Sequence, residues 1–305
     1  MSDLRIGMTL STMEDPGTGD APRWRDVQRR AVRAEEVGFD TVWVADELQW
    51  EMEAWDSPRG WWECLSLIGA MAASTSTIGV GTWVLSALHR NPGLIAKAAE
   101  TLDEISDGRF ILGFGSGHAG RQGEAFGFPP NYTVSRYEEA LSIVTALRGE
   151  GKATFHGKYH SAVDQVLAPR GPRESRCPLM LGGHGPRTMR LAVDHADIWS
   201  AYATNSSQPE AFSEMLDLLD SICRDVGRDP GSIGRSIGVF VVAPGVEPEA
   251  WVGGKEPIQG SESQITDTFL QFESMGCTRI ELMLTGDVDA SIEAFAPVLA
   301  AVKRA

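Results

Sequence analysis

The sequence predicts an α/β protein, a (β/α)8 barrel with an insertion between strands four and five, as one domain over residues 1–305. Eight short runs rich in apolar and β-branched residues recur along the chain, at 4–10, 41–45, 78–85, 110–114, 179–181, 197–200, 237–242 and 279–284. Most are apolar on both faces and helix-period segments lie between them, the pattern of a parallel sheet covered by helices. A junction form also repeats. Residues 34–43 and 272–281 each read as a helix closed by glycine, Gly38 or Gly276, that runs straight into a strand.

The elements follow in order. Strand one is followed by a helix ending at Gly38 and by strand two. Residues 65–88 carry no charge, but Ser74-Thr75-Ser76-Thr77 interrupts them, so they predict a buried helix, a turn and strand three rather than a membrane span. Asn91 is placed to cap the next helix, with Pro92 at its first position. Strand four ends at a glycine turn, and the spacing from there to strand five is the longest in the chain. That surplus, about 118–177, predicts a helix starting near 133–135 and a hairpin around 155–159. Strand five, a glycine turn and a helix from Pro186 come next, then strands six to eight.

Composition narrows the function. A net charge of −15 repels a nucleic-acid backbone or an anionic membrane, so neither is an expected partner. Cys64, Cys177, Cys223 and Cys277 are far apart and form no Cys-x-x-Cys pair, which speaks against zinc and against a disulfide framework; a reducing cytoplasm fits. The N-terminal residues lack a charged stretch followed by an apolar one, and no signal peptide is expected. The six histidines lack metal-ligand spacing, and no Gly-x-Ser-x-Gly elbow, P-loop or His-Glu-x-x-His is present. What remains is chemistry supplied by a cofactor.

In a barrel the active site sits on the loops after the strands' C-terminal ends. After strand five, Gly182, Gly183, His184 and Gly185 precede Pro186 and Arg187, so free N–H groups of a first helical turn and one guanidinium point at a common spot suited to a phosphate. The same residues also read as an ordinary strand-to-helix turn. After strand two, Asp46 and Glu47 end the strand, and Trp43, Trp50, Trp55, Trp61 and Trp62 crowd nearby; Trp43, Trp50 and Trp55 are the candidate pocket wall, or equally satellite core. Desolvation beside indoles can raise a carboxyl pKa, which makes Glu47 an acid/base candidate. After strand four, Gly115-Ser116-Gly117-His118-Ala119-Gly120 satisfies G-x-G-x-x-G, but the following stretch is a poor helix interrupted by glycine and proline. The glycines then let a flat ring approach the backbone, and His118 is the second acid/base candidate.

Several stretches resemble the bacterial-luciferase-like flavin and deazaflavin oxidoreductases: Gly38-Phe39-Asp40-Thr41-Val42-Trp43-Val44-Ala45-Asp46, Ile78-Gly79-Val80-Gly81-Thr82 with Arg90-Asn91-Pro92, and Thr101-Leu102-Asp103-Glu104-Ile105-Ser106-Asp107-Gly108-Arg109-Phe110 running on to Gly117. Arg136-Tyr137-Glu138-Glu139-Ala140-Leu141, Leu181-Gly182-Gly183-His184-Gly185-Pro186 and Ala196-Asp197-Ile198-Trp199 continue it in order. The resemblance implies a barrel that binds the deazaflavin coenzyme F-420, or alternatively FMN, at its C-terminal face. It implies a ring near Asp46, Glu47, Thr82, Trp83, Val84, Leu85, Gly115, Ser116, Gly117 and His118, with the phosphate at Gly182 to Gly185 and Arg187. It further implies a non-prolyl cis peptide near Trp83-Val84 and a homodimer. The family commonly has histidine after the strand-two aspartate; here Glu47 stands there, and the acid/base stays open between Glu47 and His118. The expected activity is hydride transfer between F-420 and a small organic substrate. The alternatives are an FMN-dependent monooxygenase, a nicotinamide dehydrogenase read from Gly115 to Gly120, and a flavin-binding protein without catalysis.

Overall fold

The computed structural model describes residues 2–53, 55–118, 120–174, 176–248 and 255–305. Among them eight parallel strands form the barrel: β1 (Arg5–Thr9), β2 (Thr41–Val44), β3 (Gly79–Thr82), β4 (Phe110–Gly115), β5 (Leu179–Gly182), β6 (Ile198–Tyr202), β7 (Gly234–Val242) and β8 (Arg279–Thr285). Each pairs in parallel with the next, β8 pairs with β1, and Leu179 opposite Leu112 closes the ring between β4 and β5. The closed barrel removes the dinucleotide-fold reading of Gly115 to Gly120, which needs an open sheet.

The helices alternate as expected: α1 (Trp24–Val37), α2 (Cys64–Ser74), α3 (Pro92–Ile105), α4 (Gly120–Phe126), α5 (Thr133–Glu150), α6 (Pro186–His195), α7 (Ser213–Asp225), α8 (Glu262–Ser274), α9 (Val288–Ala294) and α10 (Ala296–Arg304). Asn91 Oδ1 accepts from the backbone N–H groups of Gly93 and Leu94 and so caps α3, and Gly38 closes α1 in the left-handed region at φ 104°. The stretch between β4 and β5 holds α4, α5 and an antiparallel hairpin of Lys152–His156 with Ser161–Val166. α4 is a true helix of seven residues where the sequence predicts a poor one, and it matters below because it carries Gln122.

Two strands differ from expectation. Strand three stops at Thr82; the chain turns through Trp83 and Val84, joined by a cis peptide bond, and Leu85–Ser86 resumes pairing beside Phe114 and Gly115. β7 begins three residues early, because Gly234, Arg235 and Ser236 pair in register with Ile198, Trp199 and Ser200. Arg235 hid that extension, being a charge within a strand, and its guanidinium is answered by Asp220.

The pleat decides which side chains fill the barrel. Val42 and Val44 pack with the helices in the main core, whereas Trp43 turns inward against Ile111 and Met180. Trp43 is therefore fully buried inside the barrel and is not part of a wall at its mouth. The reason is space on both flanks: a Cβ at Gly7 or at Gly81 would overlap the indole, so glycine at those two positions admits the ring. Its Nε1 donates to Glu281, whose carboxylate also accepts from Ser236 Oγ at 3.1 Å and from Arg279 Nε at 2.9 Å.

Candidate active site

The strand-two loop supplies the first acidic pair. Asp46 is sealed: its carboxylate accepts from the Ser86 N–H at 2.9 Å, from both terminal nitrogens of Arg90 at 2.6 and 2.9 Å, and from His89 Nδ1 at 3.2 Å. Burial pushes its pKa up, but the hydrogen bonds from His89 and Arg90 and the charge of Arg90 outweigh it and hold the carboxyl below its ordinary value. Arg90 also binds Glu63, the side-chain cap of α2, so one guanidinium ties the ends of β2 and β3 to a helix. With no exposed side-chain surface, Asp46 offers a bound ring no contact, which corrects its expected place among the cofactor ligands; it fixes the loop that carries Glu47.

Glu47 does reach the mouth. Its Oε1 lies 3.3 Å from His118 Nε2, so the structure brings together the two residues between which the sequence left the acid/base open. Gln122, buried on α4, connects them: its Nε2 donates to Glu47 Oε2 and lies 3.4 Å from His118 Nε2, while its Oε1 accepts from the Leu48 N–H at 3.1 Å. The hydrogen bond from His118 to Glu47 raises the imidazole pKa; burial opposes it and the carboxylate charge adds to it. Trp50 meets His118 edge-on, ring centroids 4.9 Å apart. Trp55 lies half-buried in the turn between Gln49–Trp50 and Arg59–Gly60, the short antiparallel strands that follow Glu47.

The end of β3 forms the floor. Thr82 is fully buried, donating from Oγ1 to the Gly113 carbonyl at 2.7 Å, and Leu85 is fully buried too; of the four residues expected at the cofactor, only Trp83 and Val84 keep surface. Trp83 Nε1 donates to Ser200 Oγ at 3.1 Å across the barrel. Val84 sits between Gly115 and Gly182, where added Cβ atoms would come within 2.8 and 3.3 Å of its Cγ2. Those glycines therefore make room for the valine and not directly for a ring, and the valine becomes a smooth apolar shelf. Gly117 adopts φ 63° with Ser86 packed where its Cβ would stand, and Ser116 Oγ donates to the Gly117 carbonyl at 3.2 Å.

The turn after β5 meets part of its expectation. α6 starts with Pro186 at its first turn and Gly185 before it, and no side chain caps it, so its leading N–H groups have neither an intrahelical acceptor nor a capping oxygen. Arg187 does not lean over that turn: it is ion-paired with Glu138 of α5 and donates to Ser135 Oγ at 3.0 Å, because the acidic face of α5 is the nearer charge. His184 Nε2 accepts from the Tyr202 N–H at 3.2 Å, and burial, then the nearby Lys255, lowers its pKa. Lys255 lies 5.0 Å from the Tyr202 ring centroid and 4.8 Å from that of Phe240. Gln122, Arg90, His89, Tyr202 and Lys255 were missed by sequence reasoning. Only Arg90 had a local signal there, within Arg90-Asn91-Pro92.

A flat ring with a phosphorylated tail fits these residues on two structural grounds, the Val84 shelf between two glycines and the uncapped N-terminus of α6. Among the described residues no cluster of three or more metal-ligating side chains occurs, and no helix is long and apolar enough to cross a membrane.

Comparison with known proteins agrees with this architecture. F-420-dependent glucose-6-phosphate dehydrogenases of Microbacterium testaceum and Beutenbergia cavernae are 34% identical over 204 residues and 35% identical over 218. These matches cover 65% and 70% of this chain, but only 58% and 60% of the relatives' own lengths. A solved F-420-dependent secondary alcohol dehydrogenase, in complex with an F-420–acetone adduct, superposes with a TM-score of 0.81 over 99% of each chain at 20% identity, which shows a shared fold. The model of the luciferase-like monooxygenase family matches residues 4–271, and the chain belongs to that family.

Proposed function

We propose that the protein is an oxidoreductase that transfers hydride between the deazaflavin coenzyme F-420 and a small alcohol or carbonyl compound. The observation that carries this reading is the Glu47–His118 pair, held by Gln122 on the barrel's C-terminal side. The similar glucose-6-phosphate dehydrogenases depend on F-420, which supports the deazaflavin over FMN. When bound, the deazaflavin would supply the hydride acceptor or donor. Val84 and Trp83 would support the ring, and Gly182 to Gly185 with the first turn of α6 would take the phosphate.

Oxidation of an alcohol releases a hydride and a proton, and the chain's own residues must take the proton. With His118 neutral beside ionised Glu47, the pair accepts it and becomes an imidazolium–carboxylate, the form favoured by the hydrogen bond that raises the His118 pKa. In the reverse direction the imidazolium returns the proton to the carbonyl oxygen. Trp50 packs edge-on against His118 and helps fix the orientation of the imidazole.

Paired titration of the purified protein with F-420 and with FMN, following quenching of ligand and tryptophan fluorescence, tests the reading. Micromolar or tighter binding of F-420 alone supports it (a Kd of 1 μM corresponds to about −8.2 kcal/mol). Tight binding of FMN alone replaces it with an oxygen-dependent reaction, and binding of neither ends the cofactor assignment of Gly182 to Gly185.

A further inference from the structure

The C-terminal ends of β6 and β7 carry a cluster that the proton-transfer pair does not use. Gly238 of β7 leaves room for the Trp83 ring, which a Cβ there would overlap, so this face of the strand meets the floor of the mouth. Phe240, two residues on, faces the same way by the pleat and stands one step nearer the opening. Tyr202 ends β6 and meets Trp83 edge-on, ring centroids 6.4 Å apart. Over both rings sits Lys255, its Nζ 5.0 Å from the Tyr202 centroid and 4.8 Å from that of Phe240. The backbone beside it is tied to both strand ends: the Glu256 N–H donates to the Asn205 carbonyl at 3.0 Å and the Ile258 N–H to the Phe240 carbonyl at 2.8 Å.

That ammonium is unspent. Among the described residues it makes no ion pair and donates no hydrogen bond, and its nitrogen is not sealed from solvent. The other cations around the mouth are taken by carboxylates, Arg90 by Asp46 and Glu63, Arg121 by Glu51 and Arg187 by Glu138. In a chain of net charge −15, a cation left without an acid at this position is the exception. Burial lowers the Lys255 pKa; the two ring faces return part of the lost hydration, and a fixed anion would return more. His184 adds a second donor. Its Nε2 accepts from the Tyr202 N–H at 3.2 Å, so in the neutral ring the hydrogen stands on Nδ1, which has no partner among the described residues and is open to solvent. Burial, then the Lys255 charge, lowers the His184 pKa and keeps that ring neutral, and its centroid lies 4.7 Å from that of Tyr202, so both donors flank one side chain. One ammonium and one neutral N–H balance a single negative charge. A phosphate dianion against the same aromatic wall would keep a charge uncompensated in half-buried surroundings, which is costly.

We propose that Lys255 is a specificity-determining residue and that the alcohol or carbonyl substrate carries a carboxylate. One carboxylate oxygen takes the Lys255 ammonium and the other the His184 Nδ1–H, while Trp83, Tyr202 and Phe240 cover the carbon skeleton. The assignment names the substrate class of the reaction proposed above and rests on that reading of the mouth.

The test uses the full chain labelled with 15N-histidine and free of coenzyme, so that it is read separately from F-420 binding. It is titrated at matched ionic strength with lactate, mandelate and γ-hydroxybutyrate, with the neutral amide of each, and with inorganic phosphate, following the imidazole nitrogens of His184. The expected result is a saturable shift with at least one hydroxy acid and none with its amide, and a weaker response to phosphate. Lys255→Met should weaken that binding about tenfold or more, the loss of one charge-assisted contact, and should bind F-420 as the parent does. Lys152→Met, on the exposed start of the hairpin, should change neither. If Lys255→Met does not fold, Lys255→Gln takes its place with the same expectations. The proposal is overturned by the absence of a saturable response, by an equal response to the amides, by tighter binding of phosphate than of every hydroxy acid, or by undiminished affinity in the folded variant. A fall in F-420 affinity in that variant overturns it too, because the ammonium would then serve the coenzyme. A parent chain that binds a hydroxy acid but no F-420 would end the deazaflavin reading and leave the carboxylate site standing.

Discussion

His118 Nε2 and Glu47 Oε1 stand 3.3 Å apart although 71 residues separate them, one on the loop after β4 and the other on the loop after β2. The pair raises the pKa of His118, so charge on the imidazole and contact with Glu47 reinforce each other. Glu47→Gln removes the carboxylate and keeps the shape. We expect His118 to titrate lower in this variant, toward the ordinary value near 6.5, and turnover to fall by about 10²- to 10⁴-fold. Imidazole NMR and kcat across the neutral range read both. Since the folded value is the raised one, the pair's contribution to stability is fully present below the unfolded value and is lost as pH rises through the folded one; Glu47→Gln should flatten that dependence. Unchanged turnover with every substrate would remove Glu47 from proton transfer.

Gln122 positions that pair. Its amide satisfies Glu47 and the Leu48 N–H from within a buried site, so Gln122→Leu strands both and should cost about 1–3 kcal/mol of stability. A structural loss alone would leave the titration of His118 where it is. The expected outcome is a shifted His118 pKa and a lower kcat at unchanged KM, with recovery toward the parent values in Gln122→Asn where the shorter amide still reaches.

Arg90 governs acid stability at the mouth. Asp46 and Glu63 both have carboxyls held below their ordinary values; burial opposes this in each, and hydrogen bonds, Arg90's among them, outweigh it. Groups of this kind stabilise the fold above their unfolded values, near 3.8 and 4.5, and lose that contribution as pH falls through the depressed folded values. Arg90→Met should therefore lower Tm at neutral pH, since it leaves Asp46 buried beside fewer donors, and the gap to the parent should narrow as pH falls below about 4. Thermal melts of both proteins across that window decide it; a constant gap would mean that Arg90 acts by packing alone.

The barrel was legible because parallel strands buried on both faces leave near-continuous apolar runs, and because Gly38, Asn91-Pro92 and Gly276 punctuate helices in ways that need no tertiary context. The site was legible in part. Glu47 and His118 stood out as polar residues at strand ends, yet nothing local could show that they meet, since that contact depends on how two loops fold over the mouth. Gln122 was hidden in a stretch that glycine and proline made look irregular. Trp43 was misplaced because a tryptophan near a strand end reads the same whether it points into the barrel or onto its rim, and only the glycines on neighbouring strands, Gly7 and Gly81, distinguish the two. Arg187 looked like a phosphate ligand until Glu138, 49 residues earlier, claimed its guanidinium.

The charged layer inside the barrel supplies the last prediction. Glu281 is fully buried, with Arg279 Nε at 2.9 Å, Ser236 Oγ at 3.1 Å and Trp43 Nε1 as its donors; Arg279 also donates to Thr41 Oγ1 at 2.6 Å. Removing one partner of such a pair leaves an uncompensated buried charge, so Arg279→Met should destabilise the protein by roughly 3–5 kcal/mol. Removing both charges is a different experiment, because an uncharged pair of similar volume has far less desolvation to repay, and a glutamine oxygen still accepts from Trp43 and Ser236. Arg279→Met combined with Glu281→Gln should recover much of the loss, and urea melts of the two single variants and the double close the cycle. Strict additivity would show that the two residues stabilise the barrel separately. Strong coupling would show that they are retained together, as one polar layer beneath the site, with the Trp43 indole held between them and the floor made by Trp83 and Val84.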